Sequence, residues 1–116
     1  MKWKIPLYKV FADSEDNRAV NKVIQRGMDW AIGPEIEKLE KKIANYIGSK
    51  YCVAFNSGTS AGHAALIALG INAKSEVIVP SLTFISTANW PLMVQSSPKF
   101  ADIEIQNYGM DPEDLE

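Results

Sequence analysis

The residues with most chemical promise lie in NSGTSAGHAALIALG, Asn56 to Gly70, directly after the apolar run YCVAF. A strand-like segment passes into Ser57, Gly58, Thr59 and Ser60, and these pass into an alanine-rich helix pattern. With a helix over 60–69, the N–H groups of Thr59, Ser60, Ala61 and Gly62 lack intrahelical acceptors and point out of its start. The helix dipole adds partial positive charge there, Thr59 and Ser60 add hydroxyl donors, and Gly58 lets the backbone approach a ligand. A dianionic phosphate is the natural occupant. Spacing alone is met at least as well by a plainer role, in which Ser57 or Thr59 caps the helix and Gly58 turns the chain. No Lys-Ser/Thr follows the glycine and no G-x-G-x-x-G is present, so neither a nucleoside-triphosphate loop nor a dinucleotide turn is indicated.

A second group of candidates is VPSLTFISTANW, Val79 to Trp90. It too begins where a strand ends, the edge at which open α/β sheets hold ligands. Phe84 can lie flat on a cofactor ring, with Thr83, Ser86 and Thr87 as hydrogen-bond donors. Taken alone, Phe84 as a core residue and Thr83 as a helix cap is the stronger reading.

The elements that must position these residues are legible from periodicity. Residues 1–12 read as an extended, proline-containing arm. Asp13 or Ser14 can cap a helix to about Arg26, with Ala19, Val20, Val23 and Ile24 on one stripe and Gly27 as its stop. MDWAIG, Met28 to Gly33, is a loop with an aromatic at its centre. Pro34 fits the first position of a second helix, with Glu35 and Glu37 in its favourable first turn. Ile36, Leu39, Ile43, Tyr46 and Ile47 form its apolar face, Glu37 and Lys41 pair at i,i+4, and Gly48 ends it. Then YCVAF (51–55), EVIVP (76–80) and KFADI (99–103) read as buried strands alternating with helices over 60–69 and 84–95, and Asp111-Pro112-Glu113 opens another. Apolar strands separated by helices predict a parallel sheet covered on both faces. Pro91 is expected to kink or end the fourth helix.

Composition narrows the function classes. The 116 residues suffice for one modest core, and 47% hydrophobic with 22% charged residues is ordinary globular stock. A net charge of −2 without a basic cluster gives nucleic acid and anionic membranes no support. Cys52 is the single cysteine, so there is no internal disulfide, and it has no neighbours that suggest a metal. With no signal-like or membrane-spanning run, the expectation is a cytoplasmic protein.

The segments GPEIEKLEKKIANYIGSKYCVAFNSGTSAGHAALIALGI, SEVIVPSLTFISTANWPLMV and PKFADIE, in this order, resemble the DegT/DnrJ/StrS sugar aminotransferases, fold-type-I enzymes dependent on pyridoxal 5'-phosphate (PLP). The resemblance covers essentially the whole chain. It implies an α/β fold: the N-terminal portion of an aspartate aminotransferase-like PLP-dependent transferase large domain, three-layer α/β/α and truncated. Residues 1–33 would form an arm, helix and active-site loop, and 34–116 the first part of the PLP-binding domain. By the resemblance Gly58, Thr59 and Ser60 cradle the PLP phosphate, Phe84 stacks on the pyridine ring, and Trp30 contacts the sugar. The implied reaction moves an amino group from an amino acid to a nucleotide-linked keto-sugar in polysaccharide or amino-sugar biosynthesis, in a homodimer.

The same resemblance places the Schiff-base lysine, and the aspartate that protonates the pyridine nitrogen, downstream of Glu116, so no catalytic residue is expected in this chain. Lys38, Lys41, Lys42, Lys50, Lys74 and Lys99 match no family motif and read as solvated. His63 reads as packed or capping before it reads as a site residue, and Asp102 and Glu104 as scaffold. Serines at 96–97, where a glycine commonly precedes the proline, depart from the family pattern. Two other expectations stand beside the aminotransferase: a non-catalytic truncated or split-gene product, and part of a PLP-dependent sugar dehydratase.

Overall fold

The computed structural model describes residues 4–6 and 8–115. Residues 1–3 and 7 of the expected arm, and Glu116, lie outside them. The chain divides into two compact units, Met1–Cys52 and Val53–Glu116. The 33/34 border expected from the sequence falls inside the first.

The first unit carries α1 (Ser14–Arg26) and α2 (Pro34–Ile47). Asp13 is the N-cap of α1: its side chain accepts from the Glu15 and Asp16 N–H groups, and the Asp16 carboxylate accepts from the Asp13 N–H in return. This reciprocal cap contributes about 1 kcal/mol. Gly27 ends α1 and Gly48 ends α2, both left-handed (φ 76° and 73°), a conformation that costs a β-carbon and not a glycine. Pro34 stands at the start of α2. The expected Glu37–Lys41 pair is not found among the described residues, whereas Arg26–Glu35 and Lys99–Glu76 do pair. An exposed pair of this kind gains little in water and loses side-chain freedom, so its absence is unsurprising.

The second unit is built on a βαβ core. Strand β1 (Glu76–Pro80) runs parallel to β2 (Ser97–Ala101), with Glu76 opposite Ser97 and Pro80 opposite Ala101. Parallel neighbours need a crossover, and α4 (Ile85–Met93) supplies it, packing on both strands. Helix α3 (Gly58–Ala68) packs on α4. Val79, Ala88, Pro91 and Ala101 form the small core.

Three strands were expected and two form. Residues 51–55 make no strand among the described residues. A strand exists only through its ladder, and among the described residues the one ladder longer than an isolated bridge is β1 with β2. Tyr51, Val53 and Phe55 are exposed, so this apolar run has its strand composition without the sheet that would bury it. The strand at KFADI begins earlier, at Ser97, and the turn after Asp111 is 3₁₀ over Pro112–Leu115. Pro91 sits in the last turn of α4, where its missing N–H withdraws one bond to the preceding turn, and the helix ends two residues later at Met93. Ser96 is buried, and its hydroxyl donates to the Ser75 carbonyl at 2.7 Å, tying the two strand entrances together.

Candidate functional site

The start of α3 is organised by Ser57. Its Oγ accepts from the Ser60 N–H at 3.1 Å and donates to the Ser60 hydroxyl at 3.0 Å, while its carbonyl receives the Ala61 N–H at 3.1 Å. The helix therefore begins at Gly58, two residues earlier than periodicity predicts. This corrects the donor set: Ala61 and Gly62 bond within the helix, and Gly58 and Thr59 keep N–H groups with no intrahelical acceptor. The Ser60 hydroxyl, accepting from Ser57, retains its own proton for an outside acceptor. Ser57 is the cap, so the Thr59 hydroxyl is not consumed in that role.

Three further observations bear on what can sit there. The first turn of α3 carries no acidic side chain. A β-carbon at Gly58 would meet nothing within 4 Å, so the space over this backbone is open. Thr59 and Ser60 are half-buried, which limits the water competing for their hydroxyls. These residues fit a phosphate dianion.

Phe84 is the N-cap residue of α4, with extended backbone and no side-chain cap. Its ring is 74% exposed, so in this unit it is not core. Thr83 does not cap the helix either; its hydroxyl bonds to that of Thr87 at 3.0 Å. Ser86 is buried. Helices α3 and α4 run side by side in the same sense: Gly62 faces Trp90, and further along His63, Ile67 and Ile71 line a cleft with Met93, Val94 and Gln95. Their N-termini, and with them Gly58, Thr59, Ser60 and Phe84, accordingly lie at one end of the unit.

The contact that sets this pairing went unnoticed in the sequence. A β-carbon on Gly62 would fall within the van der Waals envelope of the Trp90 indole. The signal was available: an isolated glycine inside an alanine-rich helix has a packing reason. The Trp90 Nε1 is buried with no hydrogen-bond partner, so the ring is held there by packing alone.

Trp30 lies in the first unit and is 64% exposed. Its loop is tied down by a second group that sequence reasoning passed over. The Arg26 guanidinium reaches both Glu35 carboxylate oxygens (3.1 and 3.0 Å), while its Nε donates to the Met28 carbonyl at 3.2 Å and another amino group to the Asp29 carbonyl at 2.9 Å. A backbone hydrogen bond at the helix start, followed by Arg26, holds the Glu35 carboxyl below its usual range. A lowered carboxylate pKa means the pair is intact at neutral pH and lost only as pH falls through that lowered value.

The remaining candidates are scaffold in their contacts. Asp102 accepts from the Ser81 hydroxyl at 3.4 Å and the Ile103 N–H at 2.8 Å, and Glu104 accepts from the Asn107 side chain. His63 is half-buried in the cleft wall. Lys99 pairs with Glu76 at 3.2 Å, and the Lys50 ammonium lies 5.1 Å from the Tyr51 ring centre. Among the described residues no group of three or more His, Cys, Asp or Glu side chains is arranged for a metal ion, and no helix is long and apolar enough to cross a membrane.

The fold of these elements is shared with the corresponding part of solved aminotransferases. An aminotransferase from Psychrobacter cryohalolentis superposes with a TM-score of 0.83 at 30% identity, covering 90% of this chain and 27% of that one. Residues 11–116 match the DegT/DnrJ/EryC1/StrS aminotransferase family, and the chain belongs to it. A UDP-2-acetamido-2-deoxy-3-oxo-D-glucuronate aminotransferase from Pseudomonas aeruginosa is 34% identical over 97 residues, 84% of this chain and 27% of that protein. E. coli GDP-4-keto-6-deoxy-D-mannose-3-dehydratase with bound hydrated PLP is also similar, with a TM-score of 0.83 at 28% identity over 95% of this chain and 30% of that one. The chain spans about a quarter of the length of the curated relatives it matches.

Proposed function

We propose that the chain is the N-terminal part of a PLP-dependent aminotransferase that moves an amino group from an amino acid to a nucleotide-linked keto-sugar, in polysaccharide or amino-sugar biosynthesis. The observation that carries this reading is the start of α3, with two outward N–H groups, two hydroxyls and no acidic neighbour. PLP, when bound, supplies the aldehyde and the electron-withdrawing ring that amino transfer requires. Gly58 and Thr59 donate backbone N–H groups to its phosphate, and Thr59 and Ser60 donate hydroxyls. Phe84 offers a flat apolar face that orients the ring and keeps water from it. Trp30 meets the sugar. The lysine that anchors PLP, and the acid that holds the ring nitrogen protonated, come from sequence outside these residues. The working enzyme is a cytoplasmic homodimer by family likeness.

The direct assay is amino transfer from glutamate to UDP- and GDP-linked keto-sugars by the full-length enzyme. Aminated sugar confirms the reading. Deoxygenated sugar without nitrogen would favour a dehydratase, which the likeness to the E. coli enzyme keeps in view.

Two substitutions probe the cradle. Gly58→Ala is expected to keep or slightly raise folding stability, because its methyl meets no protein atom and alanine has less backbone freedom to lose in a helix. It should weaken PLP by about 1–3 kcal/mol, the usual penalty for an extra methyl in a filled site. Phe84→Leu should keep the fold, since the ring is exposed, and lose the roughly 0.5–1.5 kcal/mol of aromatic contact with the cofactor. Thermal unfolding and PLP titration on the same samples separate the two effects.

A further inference from the structure

We propose that Arg26 is the positioning residue of the 28–32 loop, its guanidinium joining the loop backbone to the first turn of α2 and so fixing where Trp30 is presented to the sugar. The proposal rests on the assignment of Trp30 to the sugar made above.

Arg26 is the last residue of α1, and the chain reverses at Gly27 immediately after it. One planar fork then serves four acceptors: two carboxylate oxygens of Glu35 and the carbonyls of Met28 and Asp29. Only a guanidinium has donors enough in that fixed geometry; a lysine is a single point charge. The loop needs such a tie. Asp29 is left-handed (φ 54°), a conformation rarely adopted by a non-glycine residue without support. Gly33 is buried beneath the fork, and a β-carbon there would press on the Arg26 guanidinium and the Glu35 carboxylate and come within 2.9 Å of the Asp29 carbonyl. Glycine at 33 is thus what lets the fork close. Between these fixed points the Trp30 side chain stays exposed, as a contact to an outside molecule requires.

The test compares full-length wild-type enzyme with Arg26→Met, Arg26→Lys and Glu35→Gln, the last weakening one end of the fork, a neutral amide with one acceptor oxygen in place of the carboxylate, while keeping the arginine. Amide hydrogen exchange across 28–32 reports the tie. KM and kcat with UDP- and GDP-linked keto-sugars as acceptors report its use. Exchange in the loop should quicken in Arg26→Met and less in Arg26→Lys, and the sugar KM should rise about 10- to 100-fold with a smaller change in kcat. Trp30→Ala should raise the same KM, and adding Arg26→Met to it should raise it little further. Unchanged exchange in both Arg26→Met and Glu35→Gln overturns the tie. Faster exchange with an unchanged sugar KM, when Trp30→Ala does raise it, overturns the positioning role. A Trp30→Ala enzyme with an unaltered KM would instead refute the assignment of Trp30 to the sugar, with the tie still read from exchange.

Discussion

Replacing Thr59 and Ser60 together by alanine is expected to weaken PLP binding by about 2–4 kcal/mol, roughly 30- to 1,000-fold in affinity. Each hydroxyl makes a charge-assisted bond of about 1.5–3 kcal/mol to a phosphate, and the backbone donors that remain offset part of the loss. The geometry sharpens this expectation at each position. The Ser57 side chain already occupies the Ser60 N–H, so at Ser60 the hydroxyl is the donor that counts. At Thr59 the N–H survives the substitution, so Thr59→Ala alone should cost less than Ser60→Ala alone. Ser57→Ala should act differently, loosening the helix start by about 1 kcal/mol because it removes the cap. Equilibrium PLP titration of the three variants orders them.

Gly62→Val is expected to destabilise the second unit by about 3 kcal/mol, at or above the upper end of ordinary overpacking. A side chain at 62 cannot avoid the Trp90 ring, and the ring cannot simply swing aside, since α4 is pinned by buried Pro91, Ser86 and Ala88. The helices must therefore separate, which also moves Phe84 relative to Thr59 and Ser60 and should loosen PLP in parallel. Trp90→Leu shrinks the opposing surface, so the double variant should regain part of the loss. Denaturant midpoints for the two single variants and the double variant give the coupling directly. An additive cycle would mean that Gly62 and Trp90 do not bear on each other.

The first two helices were legible almost to the residue because their signals are local: a cap at Asp13 or Ser14, which the structure resolves to Asp13, Pro34 at a helix start, and glycines at 27 and 48. The turn from Ser57 into α3 was legible as a helix start but not in detail. Periodicity located the apolar part of α3, whereas its true start depends on one serine bonding three residues ahead. The strand at 51–55 was misjudged because apolar composition states a need for burial, and a ladder is a matter of which neighbours exist. Phe84 shows the reverse case: taken alone, an apolar residue beside a strand end reads as core, and it is the resemblance, not the composition, that gives its ring an outside role; here the residue is exposed. The Arg26 fork escaped notice because nothing in the sequence says that a side chain ending one helix will reach the start of the next. Long-range side-chain geometry of that kind leaves no periodic trace.

The measurement that bears most directly on the central claim is the affinity of PLP against that of pyridoxal, which lacks the phosphate, in parent enzyme and in the Thr59→Ala/Ser60→Ala variant. The parent should prefer PLP strongly. In the variant that preference should fall by roughly 30-fold or more, with pyridoxal binding both proteins about equally, since two hydroxyl bonds to the phosphate are all that has been removed. Equal losses for PLP and pyridoxal would contradict the account, because the hydroxyls of Thr59 and Ser60 would then have no contact with the phosphate.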